Sequence, residues 1–270
     1  MPSTPSTPST SGSAERWGPL WGARPRAWAA SEELQAPTYR EAIARIGVQA
    51  GSRVLDVGCG TGMFLRLVAD RGAAPYGLDA SDALLQLARE RVPEADLRAG
   101  DMQFLPYEED CFDLVCGFNA FFFAADMVAA LREAGRVVRR GGPVLIQVWG
   151  RPERCDLEAM KAIMRPFLPA PPPNAPAATA LWKPGVLEEM VVAAGMTPRS
   201  AFDLAYAFEY PDESVLGRLM LAPAGIATTL GPDREESVRA EIVEALAPYR
   251  STQGVYRLHN EFHYLVASAP

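Results

Sequence analysis

Three glycines at alternate positions directly follow an apolar run in Val54-Leu55-Asp56-Val57-Gly58-Cys59-Gly60-Thr61-Gly62. Without three Cβ atoms the backbone can turn tightly and come close to a ligand. A helix begins just behind, and the free amides at its start face whatever occupies the turn. Such a turn cradles a nucleotide cofactor. Its spacing is G-x-G-x-G, whereas a pyrophosphate-binding dinucleotide site calls for G-x-G-x-x-G. A second apolar strand, Pro75-Tyr76-Gly77-Leu78, ends in Asp79, an acid suited to the two hydroxyls of an adenosine ribose. A third point follows at Gly100-Asp101-Met102, after a short strand around Leu97. A carboxylate there can accept a hydrogen bond from an adenine amino group, with Met102 packed on the ring.

The elements that must hold these residues alternate. A strand over 53–58 is followed by a helix presenting Phe64, Leu65, Leu67 and Val68. Ser81 can cap the next helix, which carries Leu84, Leu85 and Ala88 on one face before Pro93. A strand over 112–117, an amphipathic helix over 124–138 and a strand over 143–149 complete the pattern, with Gly141-Gly142 as the last turn. Alternation of this kind gives a parallel sheet with helices on both faces. Its ligand sits outside the carboxyl ends of the strands, where all three motifs fall.

With those residues in place, the chain resembles the class I S-adenosylmethionine-dependent methyltransferases. The resemblance rests on Leu55 to Gly62, Gly77-Leu78-Asp79-Ala80-Ser81 and Gly100-Asp101-Met102. It extends to Leu105-Pro106, Phe112-Asp113-Leu114-Val115 and Arg136-Val137-Val138-Arg139-Arg140-Gly141-Gly142, covering most of residues 38–150 in order. It looks most like the small-molecule branch, the ubiquinone/menaquinone-type and natural-product enzymes. The fold so implied is α/β: a Rossmann-like, seven-stranded, mostly parallel sheet with helices on both faces. The last strand inserts antiparallel between its neighbours, and a helical lid and an inserted cap are added. The cofactor implied is S-adenosyl-L-methionine, with S-adenosyl-L-homocysteine as product. By the family's pattern Gly58, Cys59, Gly60, Thr61 and Gly62 flank the methionine moiety, and Asp56 helps hold its ammonium directly or through water. Asp79 takes the ribose hydroxyls with Ala80 beside the adenine, and Asp101 and Met102 read the adenine edge and face. In relatives the loop Gly117-Phe118-Asn119-Ala120-Phe121-Phe122-Phe123 passes between methionine and acceptor. There Asn119 would donate to the cofactor carboxylate or orient the acceptor.

Composition limits what the chain can act on. Its 270 residues, 49% hydrophobic and 22% charged, suit one large α/β domain with an elaborated lid or a small cap. A formal charge of −7 disfavours a nucleic-acid partner. No apolar run is long enough for a membrane span, and the N-terminus lacks a secretory pattern. Four cysteines without C-x-x-C spacing read as free thiols in a reducing cytoplasm. Repeats of Pro-Ser-Thr over residues 2–10 predict a disordered tail over 1–14. Residues 15–50, with Trp17, Trp21 and Trp28 before a helix around Tyr39 to Ile46, predict a helical lid. The core is expected over 51–150. A proline-rich insertion over 151–183 is expected to form a substrate cap, and 184–270 to complete the same domain, ending in a strand over 256–267.

Methyl transfer from a sulfonium needs alignment of nucleophile and methyl group and exclusion of water, and a base only when the acceptor must lose a proton. Catalytic groups are therefore harder to read than cofactor groups. His259, His263 and Asn119 are the candidates; Trp21, Trp28, Phe121, Phe122 and Trp182 are candidates to line an apolar or aromatic acceptor pocket. No metal-ligand spacing is present. The expected activity is methyl transfer to oxygen, nitrogen or carbon of a small organic molecule, in a monomer or homodimer. The alternatives are a non-catalytic protein that binds the same cofactor and, disfavoured by the glycine spacing, an NAD-type oxidoreductase.

Overall fold

A computed structural model describes residues 12–168, 180–223 and 226–270. Three helices come first: α1 (Ala14–Trp21), α2 (Pro25–Glu33) and α3 (Ala36–Ile46). The alternating core follows as β1 (Arg53–Val57), α4 (Met63–Ala69), β2 (Ala74–Asp79), α5 (Asp82–Arg91), β3 (Asp96–Ala99), β4 (Leu114–Phe118), α6 (Met127–Val137) and β5 (Pro143–Trp149). Beyond it come α7 (Glu158–Met164), α8 (Val186–Ala193), β6 (Thr197–Tyr210), α9 (Glu213–Met220), α10 (Ile226–Leu230), α11 (Pro232–Ala245) and β7 (Tyr256–Ser268).

The seven strands lie in the order β3-β2-β1-β4-β5-β7-β6. The first five pair in parallel, and β7 runs antiparallel between β5 and β6. Strand order reverses between β1 and β4, so a crevice opens there at the carboxyl ends. Successive side chains of a strand point to opposite faces, and both faces are covered. Val54 packs with Tyr39 and Ile43 of α3 and Phe64, Leu65 and Val68 of α4. Leu55 and Val57 pack on the other side, with Leu131 and Ala134 of α6 and Leu187 and Val191 of α8. Burial on two faces is why these strands read as nearly unbroken apolar runs.

Several boundaries move. Of the tail expected over 1–14, Ser13 is buried and α1 begins at Ala14, while residues 1–11 lie outside the described residues. β4 starts at Leu114 because Phe112 forms a separate parallel bridge to Val138. α6 starts at Met127, where the Asp126 carboxylate accepts from the Ala129 amide at 3.0 Å; Phe121–Phe123 forms a 3₁₀ turn instead. Ser81 caps α5 as expected, accepting from the Leu84 amide. In the insertion the helix stops at Met164 and a 3₁₀ turn takes Arg165–Phe167, since Pro166 has no amide to continue the ladder. The proline-rich part expected to form the cap, 169–179, lies outside the described residues.

Candidate functional site

The turn after β1 is built as its glycines require. Gly58, Gly60 and Gly62 all take positive φ, at 81°, 55° and 79°. A side chain at any of them would be strained. The amides of Gly58 and Cys59 both donate to the Leu78 carbonyl of β2, at 2.7 and 3.1 Å, which pins the turn against the neighbouring strand end. Cys59 is buried toward β2, where its Sγ takes the space a side chain on Gly77 would need, and burial pushes its thiol up. It is a packing group.

Asp79, at the end of β2, accepts from the Gly60 amide at 2.9 Å and the Ser81 amide at 2.8 Å. Burial raises its carboxyl above the usual range, and those amides oppose the shift. Asp56 is 3% exposed and its Oδ1 has no hydrogen-bond partner among the described residues. Burial first, then Glu32 and Asp79, push its carboxyl well up. Asp101 follows β3. Its Oδ1 accepts from the Gln103 amide at 2.9 Å, while Oδ2 accepts from the Ala14 amide at 2.7 Å and the Ser13 hydroxyl at 3.2 Å. Asp56, the glycine turn, Asp79, Ala80 and Asp101 thus line the ends of three adjacent strands. Met102 is half-buried against the second core.

The N-terminal helices lie directly on these groups. At Gly12 an added Cβ would run into the Asp101 carboxylate, and at Gly18 into the Ala80 carbonyl. Trp28 and Glu32, four residues apart and so on one face of α2, both pack on Gly60. Glu32 accepts from the Thr61 amide at 3.0 Å and from the Thr61 hydroxyl, and that hydroxyl accepts from Arg91 at 3.0 Å. Burial raises the Glu32 carboxyl to about 7, against the lowering pull of Thr61 and Arg91. Glu32 was not among the sequence candidates. Its spacing from Trp28 is the signal that could have found it.

An aromatic cluster stands beside the turn. Trp17 meets Phe123 edge-on at 4.8 Å between centroids, Trp21 meets Phe123 at 5.4 Å and Trp28 at 4.6 Å, and Phe122 tilts on Phe123 at 4.7 Å. Phe121 departs from expectation: it is buried beneath Gly117 in the second core and cannot line a pocket. Trp182 is half-buried just ahead of α8.

The two histidines are not brought to the turn. Both lie on β7, three strands from β1, which at about 4.8 Å per strand is roughly 14 Å away. The His259 ring is 65% exposed. The His263 Nδ1 pairs with Asp203 on β6 at 2.7 Å, and its Nε2 is buried without a partner among the described residues. Asn119 does sit at the crevice, directly after β4, with Ala120 packed on Gly58. No group of three or more His, Cys, Asp or Glu able to hold a metal occurs among the described residues, and no helix there is long and apolar enough to cross a membrane.

Residues 55–146 match the methyltransferase-domain family. An uncharacterized protein of Mycobacterium tuberculosis is 33% identical over 158 residues, 56% of each chain. Demethylmenaquinone methyltransferase of Tropheryma whipplei is 34% identical over 142 residues, 50% of this chain and 58% of that one. The chain thus spans little more than half the length of these curated relatives. Among solved structures, a Haloferax volcanii chain described as a methyltransferase, in complex with the Trm112 methyltransferase activator, superposes with a TM-score of 0.60. It is 25% identical, with 93% of this chain and 96% of that one covered. Fold and site define a class I methyltransferase core built for S-adenosylmethionine. Over residues 55–146 the chain carries a methyltransferase domain.

Proposed function

We propose that the chain transfers a methyl group from S-adenosylmethionine to oxygen, nitrogen or carbon of a small apolar or aromatic molecule. The observation that carries this is the row of strand ends: a glycine turn, then Asp79 with Ala80, then Asp101, on β1, β2 and β3 in spatial order. The chemistry of the groups present fits a cationic adenosyl ligand. Asp56, Glu32 and Asp79 crowd around one turn, Arg91 lies 3.9 Å from Glu32, and the buried Asp56 Oδ1 has no partner among the described residues. Bound there, the cofactor supplies a methyl group on a positively charged sulfur. The protein's part is to orient and to exclude water. Asp79 would hold the ribose hydroxyls, Asp101 the adenine edge, and Asp56 the ammonium. Trp21, Trp28, Phe122 and Phe123 would form an apolar wall on the acceptor side, where ring faces also favour a cation.

Helices α1 and α2 act in this reading as a lid that imitates the ligand. The Ala14 amide stands on Asp101 where an adenine amino group would stand, and the Glu32 carboxylate stands on the Thr61 amide at the start of α4, where an anionic group is favoured. Adenosyl binding requires the lid to give up these contacts. The net charge supports a small acceptor over a polyanion, and the four unpaired cysteines suit a reducing cytoplasm.

Calorimetric titration with S-adenosylmethionine and S-adenosylhomocysteine tests the reading, with NAD as control. Both adenosyl compounds should bind in the micromolar range (~10⁻⁶ M) and NAD should not. Asp79→Ala should weaken binding by about 2–4 kcal/mol, since hydrogen bonds to a charged acceptor are lost. Unchanged affinity in that variant would remove the ribose assignment.

A further inference from the structure

A buried chain of hydrogen bonds ends at the crevice. Gln147 of β5 faces Tyr264 of β7 in register, and both are buried, at 1% and 0% exposure. The chain starts at Thr38 in α3, whose hydroxyl donates to the Gln35 carbonyl at 2.7 Å. The Tyr264 hydroxyl lies against Thr38, and its oxygen accepts from Gln147 Nε2 at 2.8 Å. The opposite end of that amide is a carbonyl, so Gln147 Oε1 meets Asn119 as an acceptor. Asn119 Nδ2 donates to it at 3.4 Å. The carbonyl oxygen of Asn119 is buried and without a partner among the described residues.

The backbone holds Asn119 in this role. Its φ is +50°, a conformation that asparagine tolerates better than most residues, and its amide donates to the Gln147 carbonyl at 3.0 Å. Both ties go to β5, on the side of β4 away from the glycine turn. We infer that Gln147 and Tyr264 are positioning residues that lock the Asn119 carbonyl oxygen toward the acceptor, so that the acceptor is a hydroxyl or amine that donates to it. The inference rests on the methyl-transfer reading and narrows it from oxygen, nitrogen or carbon to groups bearing an O–H or N–H. It also departs from the expectation that Asn119 donates to the cofactor carboxylate, since one of its two side-chain N–H groups goes to Gln147.

The test uses the full chain saturated with S-adenosylhomocysteine and two probes of nearly the same shape, 2-naphthol and 2-methoxynaphthalene. The wild type should bind 2-naphthol about tenfold more tightly, as one hydrogen bond would give. Asn119→Ala should abolish the preference and Asn119→Asp, which keeps an acceptor, should retain it. Tyr264→Phe should reduce it, because Gln147 and Asn119 are then free to flip. A role in folding alone would move both probes together and leave their ratio fixed. Equal affinity for the two probes in the wild type overturns the inference, as does a preference that survives Asn119→Ala or is unchanged in Tyr264→Phe. S-adenosylhomocysteine affinity should stay within about twofold in every variant. A selective fall in Asn119→Ala would assign Asn119 to the cofactor and overturn the inference, whereas failure of the wild type to bind S-adenosylhomocysteine would overturn the methyltransferase reading beneath it.

Discussion

Glu32 is drawn out of water by α2 and set on the Thr61 amide and hydroxyl, and burial lifts its carboxyl from 4.5 to about 7. Between those two values the folded chain keeps a proton that the unfolded chain has released. Stability therefore falls as pH rises through that window, by up to about 1.4 kcal/mol per pH unit and on the order of 3 kcal/mol in all. Asp56 and Asp79, also raised by burial, push in the same direction. Glu32→Gln keeps an acceptor for Thr61 but cannot ionise. Denaturant unfolding at pH 5 and pH 8 should show the wild type losing stability relative to this variant as pH rises. Parallel pH curves for the two proteins would mean that Glu32 titrates in the fold as it does in the unfolded chain.

At the scale of the element, α1 is held down by what its glycines lack. Gly18 is buried on the Ala80 carbonyl, and a larger residue cannot seat there. Replacing glycine by leucine favours an isolated helix by somewhat under about 1 kcal/mol, so Gly18→Leu should leave α1 helical while preventing it from docking. If the lid competes with the cofactor, freeing it removes the Ala14 hydrogen bond to a charged acceptor, about 1.5–3 kcal/mol. S-adenosylhomocysteine should then bind roughly tenfold or more tightly, and trypsin should cut faster at Arg16 and Arg26. Weaker binding would instead make α1 part of the roof over bound cofactor. The same glycines explain which parts of the site were legible. The turn at Gly58, Gly60 and Gly62 could be read from sequence because its reason is local: a strand ends, the chain reverses and a helix begins within a few residues. Gly12 and Gly18 could not be read in that way, because their reasons, Asp101 and Ala80, lie more than sixty residues away. Phe121 was misjudged on the same ground, since its place under Gly117 depends on how the loop folds back on β4.

In the whole molecule the lid is joined to the carboxyl-terminal helices as well as to the crevice. Arg24, just ahead of α2, makes a two-pronged bond to Glu235 of α11, with Nη1 to Oε1 at 3.1 Å and Nη2 to Oε2, and Arg239 adds a third donor at 2.7 Å. Arg24 holds the Glu235 carboxyl below its usual range. With side chains 29% and 20% exposed, such a pair contributes about 1 kcal/mol or less to folding, but its fork geometry fixes direction. α2 also packs on α5 and α9, so a lid that moves must either pull α11 with it or break this bond. Hydrogen exchange with and without S-adenosylhomocysteine distinguishes the two. If movement is transmitted, ligand should change exchange in α1, α2 and α11 together. Arg24→Ala should then abolish the α11 response while leaving that of α1, with the melting temperature little altered. An α11 response that persists in the variant would mean that packing of α2 on α9 carries the coupling. No ligand response in α11 even in the wild type would mean that Arg24 lets go before the lid moves, leaving the lid to open independently of the carboxyl-terminal helices.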